Sequence, residues 1–337
     1  MKAKIGPRIF LENRPKLEEH IPLKVPFIIN IDPADICNLQ CVFCPTGDRE
    51  LMKKTHGRYF GLLDFELFKK IVDDICEFEK PIKVLRLYKD GEPLLNKKFP
   101  DMVRYAKEKK CAEVIDTTTN ASRLSPELNL EIINAGLDRI NISIYGMNSE
   151  QYQNFSKAKI NFDQLVENVR HFYEHSRGKC HMLVKINGDV ISEDDQKRFF
   201  DTFGDITDQI FVEHVMSCWP EFDLKEHGID SNQNVGIYGQ PIKEVLVCPY
   251  IFYSFSINSN GTASACFLDW ERKLIIGDVK TQSVKDIWND AALLAHQEMM
   301  LRGERKLHPV CKNCDQLKRG QPDDIDVFAK ELLKKIK

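Results

Sequence analysis

The strongest constraint on the fold is an alternation. Between residues 26 and 215, six short apolar runs alternate with five longer runs of helical spacing. The short runs are 26–32 (PFIINID), 82–88 (IKVLRLY), 113–120 (EVIDTTTN), 139–145 (RINISIY), 181–187 (HMLVKIN) and 209–215 (QIFVEHV). Each is apolar, β-branched and short, as a buried strand should be. Residues 63–79, 98–110, 125–136, 162–175 and 193–203 read as helices. Asp64 and Ser125 stand at N-cap positions, Pro126 follows at the first helical position, and Gly136 closes the third helix. Strand–helix alternation predicts right-handed βαβ units wound into an open parallel sheet or a partial barrel. Sites in such folds lie at the C-terminal ends of the strands. The polar signatures fall there: three cysteines after the first strand, Asp90-Gly91-Glu92-Pro93 after the second, Thr119-Asn120 ending the third, and Ser143 late in the fourth.

Beyond residue 216 the period is lost. Residues 216–247 read as a connecting segment. Residues 253–267 are two alternating runs around Asn258-Ser259-Asn260-Gly261, a hairpin signal. A helix over 283–304 capped by Ser283, a Cys311-Lys312-Asn313-Cys314 pair and a terminal helix follow. The expected organisation is an N-terminal segment (1–25), the strand–helix series (26–215), a connector (216–247), a small C-terminal unit of hairpin plus helix (248–322) and the final helix (323–337).

Lys+Arg number 48 and Asp+Glu 51, a net charge of −3 that gives no electrostatic footprint for nucleic acid. The N-terminus lacks the apolar core of a signal peptide. The longest apolar run, 245–257, is too short to span a bilayer and contains Pro249. A cytoplasmic chain without membrane partners is expected. Its eleven cysteines are then metal-binding or catalytic candidates rather than a disulfide framework. Seven form two groups, Cys37/Cys41/Cys44 and Cys248/Cys266/Cys311/Cys314. Cys76, Cys111, Cys180 and Cys218 are scattered, and Cys76 and Cys111 are expected in the core near helix ends.

Structural zinc takes four ligands, and the first group offers three, with His56 the nearest addition by sequence. The other reading is an iron–sulfur cluster with one iron left open. An open position marks a reaction site, as it does for catalytic zinc. Cys37-Asn-Leu-Gln-Cys41-Val-Phe43-Cys44, after the first strand of a β/α series, resembles the CxxxCxxC signature of the radical S-adenosylmethionine (SAM) enzymes. Asp90-Gly91-Glu92-Pro93 resembles their GGEP motif, departing at the first Gly. The resemblance implies a partial (β/α)6 TIM-like barrel. It also implies a [4Fe-4S] cluster on Cys37, Cys41 and Cys44, and SAM contacts at Phe43, Gly91, Glu92, Pro93, Thr119, Asn120 and Ser143. The implied chemistry is reductive cleavage of SAM to a 5′-deoxyadenosyl radical that takes a hydrogen atom from substrate.

The second cysteine group has four ligands, so zinc and a four-iron cluster are both chemically allowed. The pattern of hairpin, helix and CxxC resembles the SPASM extension of radical SAM enzymes in its shortened twitch form. In spacing it is similar to the aminocyclitol dehydrogenase type found in butirosin biosynthesis. This implies a second, fully ligated [4Fe-4S] cluster that carries electrons.

The expected reaction is oxidation of a secondary alcohol of a sugar, cyclitol or related small molecule, with flavodoxin or ferredoxin as external electron donor. Cys218, at the barrel mouth, is a candidate hydrogen donor for an epimerase instead, against a packing role. Glu213 and Lys185 are candidate bases or substrate contacts. Alternation on a strand keeps Glu213 and His214 from facing inward together. Arg86 is a candidate for binding a carboxylate or phosphate, against an ordinary ion pair. Trp219 and Trp270 are expected as packing residues. Modification of a ribosomal peptide, and a zinc-stabilised binding module, are the further readings.

Overall fold

The computed structural model describes residues 1–9, 14–216, 219, 222–229, 234–320 and 322–337. Its strands are β1 (Lys4–Ile5), β2 (Ile28–Ile31), β3 (Ile82–Leu87), β4 (Ala112–Thr119), β5 (Arg139–Ile144), β6 (His181–Asn187), β7 (Gln209–Glu213), β8 (Ser254–Ile257), β9 (Thr262–Ser264) and β10 (Ile275–Asp278). All join one sheet in the order β1-β7-β6-β5-β4-β3-β2-β8-β9-β10. From β2 to β7 every neighbouring pair is parallel, so the α/β partial barrel expected from the alternation is present.

Helices α1 (Arg49–Lys54), α2 (Phe65–Ile75), α3 (Phe99–Lys109), α4 (Pro126–Ala135), α5 (Ser149–Ser156), α6 (Phe162–Ser176) and α7 (Glu193–Phe203) occupy the crossovers. Their starts follow side-chain chemistry. Asp64 accepts from Leu67 N, Ser125 from Leu128 N and Ser192 from Asp195 N, each satisfying an otherwise orphaned helical N–H. Gly136 ends α4 in the left-handed region at φ 90°. One apolar core lies between sheet and helices; Ile29, Ile31, Leu85, Ile115, Ile140, Ile142, Val184 and Ile210 fill it from the strands. Their alternating neighbours, among them Asn30, Arg86, Asp116, Arg139 and Lys185, belong to the opposite, lumen-facing set.

Four local features depart from the sequence expectation. Strand β1 lies in the N-terminal segment, where no strand was expected, and pairs in parallel with β7. The first hairpin strand, β8, also adds to the barrel sheet, pairing in parallel with β2 from Ile28↔Ser254 to Ile31↔Ile257. The helix expected over 283–304 is two helices, α8 (Val284–Trp288) and α9 (Ala291–Leu301), because Asp290 breaks the run and caps the second by accepting from Ala292 N at 2.8 Å. Short α10 (Gln316–Arg319) precedes α11 (Ala329–Lys335), which begins later than the expected 323. Among the described residues no helix is long and apolar enough to cross a membrane.

Candidate active site

The loop leaving β2 carries Cys37, Cys41 and Cys44, and it meets the loops leaving β3, β4 and β5 around a cavity of about 250 Å³. Its walls include the three cysteines, Phe43, Tyr88, Gly91, Glu92, Thr118, Thr119, Asn120 and Tyr145. Eight of the sequence-predicted site residues therefore converge. Phe43 stacks on Tyr145 with ring centroids 5.7 Å apart, one aromatic pair beside the thiols.

Glu92 is buried and its carboxylate is held from three sides. Thr119 Oγ1 donates to Oε1 at 2.7 Å, Leu94 N to Oε1 at 3.0 Å, and Asn120 N to Oε2 at 2.8 Å. Burial outweighs these donors and pushes its carboxyl up to about 6. Glu92 N donates to Ile36 O at 2.8 Å, tying the β3 loop to the cysteine loop. That contact needs a glycine next door: a Cβ on Gly91 would lie 2.8 Å from Ile36 N and closer still to the carbonyl oxygens of Ala34 and Ile36. Asn120 links the same wall to the thiols, its Nδ2 donating to Cys37 Sγ at 3.7 Å and to Asn38 Oδ1 at 3.1 Å. Pro93 is buried and opens the 3₁₀ turn behind Glu92.

The other expected residues stand apart from this wall. Ser143 is half-buried and does not line the cavity, whose β5 contribution is Tyr145. Lys185 and Glu213 form an ion pair across β6 and β7. His214 turns away from that pair and bonds Asp189 Oδ1 at 2.6 Å, as strand alternation requires. Cys218 lies outside the described residues. Cys111 and Cys180 are buried, but Cys76 is exposed, a correction to the core placement; it sits on the outward C-cap turn of α2.

Trp219 packs against a buried apolar cluster and Trp270 is buried, as expected, and both also line the cavity. Trp270 Nε1 donates to Thr46 Oγ1 at 2.9 Å, and Arg58 lies over its ring at 4.3 Å. Sequence reasoning also missed the buried charge network alongside. Arg58 pairs with Asp35, and Arg272 Nη1 with Asp90 Oδ2 at 2.7 Å; Arg272 Nη2 reaches Asp35 Oδ1 at 3.0 Å and Lys89 Nζ reaches Asp90 Oδ2 at 2.6 Å. Asp32, Asp35 and Asp90 bring ligand atoms within 4.8 Å of one another, but Lys89, Arg58 and Arg272 supply their counter-charges. Burial pushes the Asp32 carboxyl up to about 8. The one usable signal was Asp90 itself, an acid where the resembling motif has Gly.

The second group encloses a smaller cavity. Cys248, Cys266, Cys311 and Cys314 surround about 40 Å³ with Ile251, Leu274, Met300 and Leu317, and Arg305 and His296 at its edge. Arg305 Nη1 donates to Cys311 O at 2.8 Å. All seven thiols are free, and burial drives each above its ordinary value, Cys37, Cys248 and Cys311 to about 12. A bound metal replaces the proton on such a thiol.

A family model described as the radical SAM superfamily matches residues 31–199. The chain belongs to the radical SAM superfamily. A second model, an iron–sulfur cluster-binding domain of SPASM type, matches residues 248–315. The AdoMet-dependent heme synthase of Methanosarcina barkeri is 21% identical over 84% of this chain and 86% of its own length. The first curated relatives are matched over only 34% and 32% of their length. SuiB of Streptococcus suis, solved with its precursor peptide SuiA, has a TM-score of 0.63 at 17% identity, covering 90% of this chain and 73% of that one. BtrN in complex with AdoMet and 2-DOIA has a TM-score of 0.55 at 16% identity, covering 89% and 98%. These likenesses establish the shared fold.

The radical SAM and SPASM matches, with three and four grouped cysteines, imply SAM and two [4Fe-4S] clusters in this chain. The residues fit them. Among the described residues the only His, Cys, Asp or Glu group within single-ion spacing is the aspartate trio. Thiolates on one zinc would stand about 3.8 Å apart, from Zn–S bonds of about 2.3 Å. Neither cysteine set is drawn up that closely, which suits a larger group such as the iron–sulfur cluster that the second family model describes.

Proposed function

We propose that this radical SAM enzyme oxidises a secondary alcohol of a sugar, cyclitol or related small molecule. One observation carries the reading: three thiols and the cradled Glu92 share one cavity, while four further thiols close a separate one. Cys37, Cys41 and Cys44 would hold a cluster with one iron free, and Cys248, Cys266, Cys311 and Cys314 a cluster fully ligated by protein. When bound, SAM and the first cluster supply a carbon radical that takes a hydrogen atom from an unactivated C–H bond, and the second cluster accepts an electron.

The chain's own residues bind and orient. Glu92 offers its carboxylate to the SAM ammonium, and Thr119, Leu94 and Asn120 fix its direction, so little reorganisation is needed on binding. Gly91 lets the backbone pass close enough for that placement. Phe43, Tyr145 and the two tryptophans exclude water from the radical's surroundings. The substrate gives up one hydrogen atom from carbon, one proton from its hydroxyl and one electron, leaving a ketone. Glu213 takes the proton and Lys185, paired with it, holds it in place. An external donor such as flavodoxin or ferredoxin supplies the electron that starts the turnover. Residues 248–322 form the electron-accepting unit, and residues 216–247 contribute to specificity.

The test is anaerobic turnover with reductant, SAM and a panel of sugars and aminocyclitols, analysed by mass in heavy water. Loss of two hydrogens with one 5′-deoxyadenosine per product supports the reading. Uptake of one deuterium without mass loss would refute oxidation and indicate return of hydrogen to the same carbon.

A further inference from the structure

Inside the barrel a second cavity of about 400 Å³ is lined by Arg8, Arg86, Asp116, Arg139, Asn141, His181, Leu183 and Gln209. Its wall is one row of register partners running across the sheet. Asn30 stands opposite Arg86, Arg86 opposite Asp116, Asp116 opposite Arg139, and Arg139 opposite His181. Arg8 arrives from the N-terminal segment, which is docked by the β1–β7 pairing and by Gln209 Nε2 donating to Gly6 O and Pro7 O at 2.9 and 2.6 Å. Asn141 Nδ2 donates one hydrogen to Thr117 O at 2.8 Å, which orients the amide.

Charge in this cavity is unbalanced. Among the described residues three guanidiniums face one carboxylate, an excess of two positive charges in a partly enclosed space. Arg8 Nη2 and Arg139 Nη2 both reach Asp116 Oδ2 at 3.2 Å, and Arg86 Nε stands off at 3.8 Å. Asp116 is only 1% exposed, yet its Oδ1 has no partner, and Arg86 Nε and Arg139 Nε have none either. Buried polar atoms are rarely left unsatisfied without a functional reason. Two unmatched donors and one unmatched acceptor call for a ligand that offers an oxyanion beside a hydroxyl. The lumen cavity also adjoins the SAM cavity, because Arg8 hydrogen-bonds the Tyr88 hydroxyl and stacks over its ring at 4.9 Å, and Tyr88 lines the other side.

We propose that the lumen is the substrate subsite for a phosphorylated sugar or cyclitol: Arg8, Arg86 and Arg139 bind the phosphate, Asp116 Oδ1 accepts from a neighbouring hydroxyl, and the reacting carbon lies toward Tyr88. A phosphate monoester dianion cancels the two surplus charges, whereas a carboxylate leaves one. Guanidinium forks suit phosphate oxygens in direction as well as charge. The assignment rests on the oxidation reading for which carbon reacts, but the binding site itself does not.

The experiment measures equilibrium binding of glucose 6-phosphate, glucuronate and glucose to the reconstituted, SAM-loaded enzyme at constant ionic strength. Glucose 6-phosphate should bind at least about tenfold tighter than either other probe. Arg86→Gln and Arg139→Gln should each weaken it about tenfold or more, and Arg86→Lys, which keeps the charge but loses the fork, should fall between. Only variants with wild-type melting temperature and iron content are scored. Equal binding of glucose and glucose 6-phosphate overturns the proposal, as does wild-type affinity in both Gln variants. Glucuronate binding as tightly as glucose 6-phosphate overturns the phosphate assignment. If phosphate binding holds but no substrate loses two hydrogens, the oxidation reading fails and the subsite stands.

Discussion

Gly91 tests how the site is built. In Gly91→Ala the new methyl would collide with the carbonyls of Ala34 and Ile36 and with Ile36 N, all backbone atoms that no rotamer change relieves. Either the β3 loop or the cysteine loop must shift, and the 2.8 Å bond from Glu92 N to Ile36 O is the contact that breaks. Overpacking of this kind costs about 1–3 kcal/mol, and the lost hydrogen bond adds about 1 kcal/mol. Unfolding entropy of about 2.1 cal/mol/K per residue, over 337 residues, makes about 0.7 kcal/mol/K for the chain. A total of about 2–4 kcal/mol then lowers the melting temperature by about 3–6 °C. The effect on SAM should be larger in proportion. Displacing Glu92 forfeits a hydrogen bond between charged groups, worth about 1.5–3 kcal/mol, or roughly 10- to 150-fold in affinity. Anaerobic thermal melts and equilibrium dialysis with labelled SAM measure the two. A Gly91→Ala protein with unchanged melting temperature and unchanged SAM affinity would refute the close-approach argument, since nothing else in the motif demands glycine there.

Iron counts separate the two cysteine groups: Cys41→Ala and Cys266→Ala should each drop the reconstituted protein from about eight irons to about four, with SAM cleavage abolished at once only in Cys41→Ala. Burial raises the Asp32 carboxyl from 3.8 to about 8, so folding favours its protonated form. Stability is therefore fullest at low pH and is lost as pH rises from 3.8 through about 8. Asp32→Asn should flatten this dependence in melts between pH 6 and pH 9, and a parallel decline in wild type and variant would count against it. Glu213→Gln should uncouple the enzyme, leaving 5′-deoxyadenosine formation while lowering ketone formation by about 10²-fold or more; equal losses in both would remove Glu213 from the proton step. Asp90→Gly, which restores the family's residue, should destabilise by about 3–5 kcal/mol because it strips a buried partner from Arg272 and Lys89, read as a fall in melting temperature.

The barrel was legible because its signals are local. Strands buried on both sides read as apolar runs, and caps such as Asp64, Ser125 and Ser192 sit within three residues of the N–H groups they satisfy. The cysteine loop and Glu92 were legible because spacing within a loop survives folding. What the sequence hid depends on distant partners. Lys4–Ile5 is too short to read as a strand, and it is one only because β7 pairs with it. Helix α5 was overlooked although Asn148 caps it, accepting from Gln151 N. Asp290 restarted a helix whose apolar pattern ran straight through it. Tyr88, Tyr145 and Trp270 carry no local signal that separates them from core aromatics, because facing a cavity and facing a core demand the same residue types. Arg272 bonds Asp90 across 182 residues, a pairing that no local pattern announces.

That last pairing explains the one departure from the family's motif. An aspartate at position 90 would be a costly burial alone, yet Lys89 and Arg272 hold it far below the ordinary carboxylate range. Arg272 lies six residues beyond Cys266 and also pairs with Asp35, two residues before Cys37. Lys89 Nζ donates as well to Asp269 O at 3.1 Å, between Cys266 and Arg272. The extra acid therefore fastens the segment after Cys266, within the second cysteine group, to both loops of the first. A buried ion network adds little net stability over apolar packing, so its physical content is register: it fixes how the two cysteine-bearing segments face each other. Electron transfer between two clusters depends on that relation more than on the stability of either site, and Gly at position 90 would leave Arg272 with one carboxylate, Asp35, and the Asp269 carbonyl among its described partners.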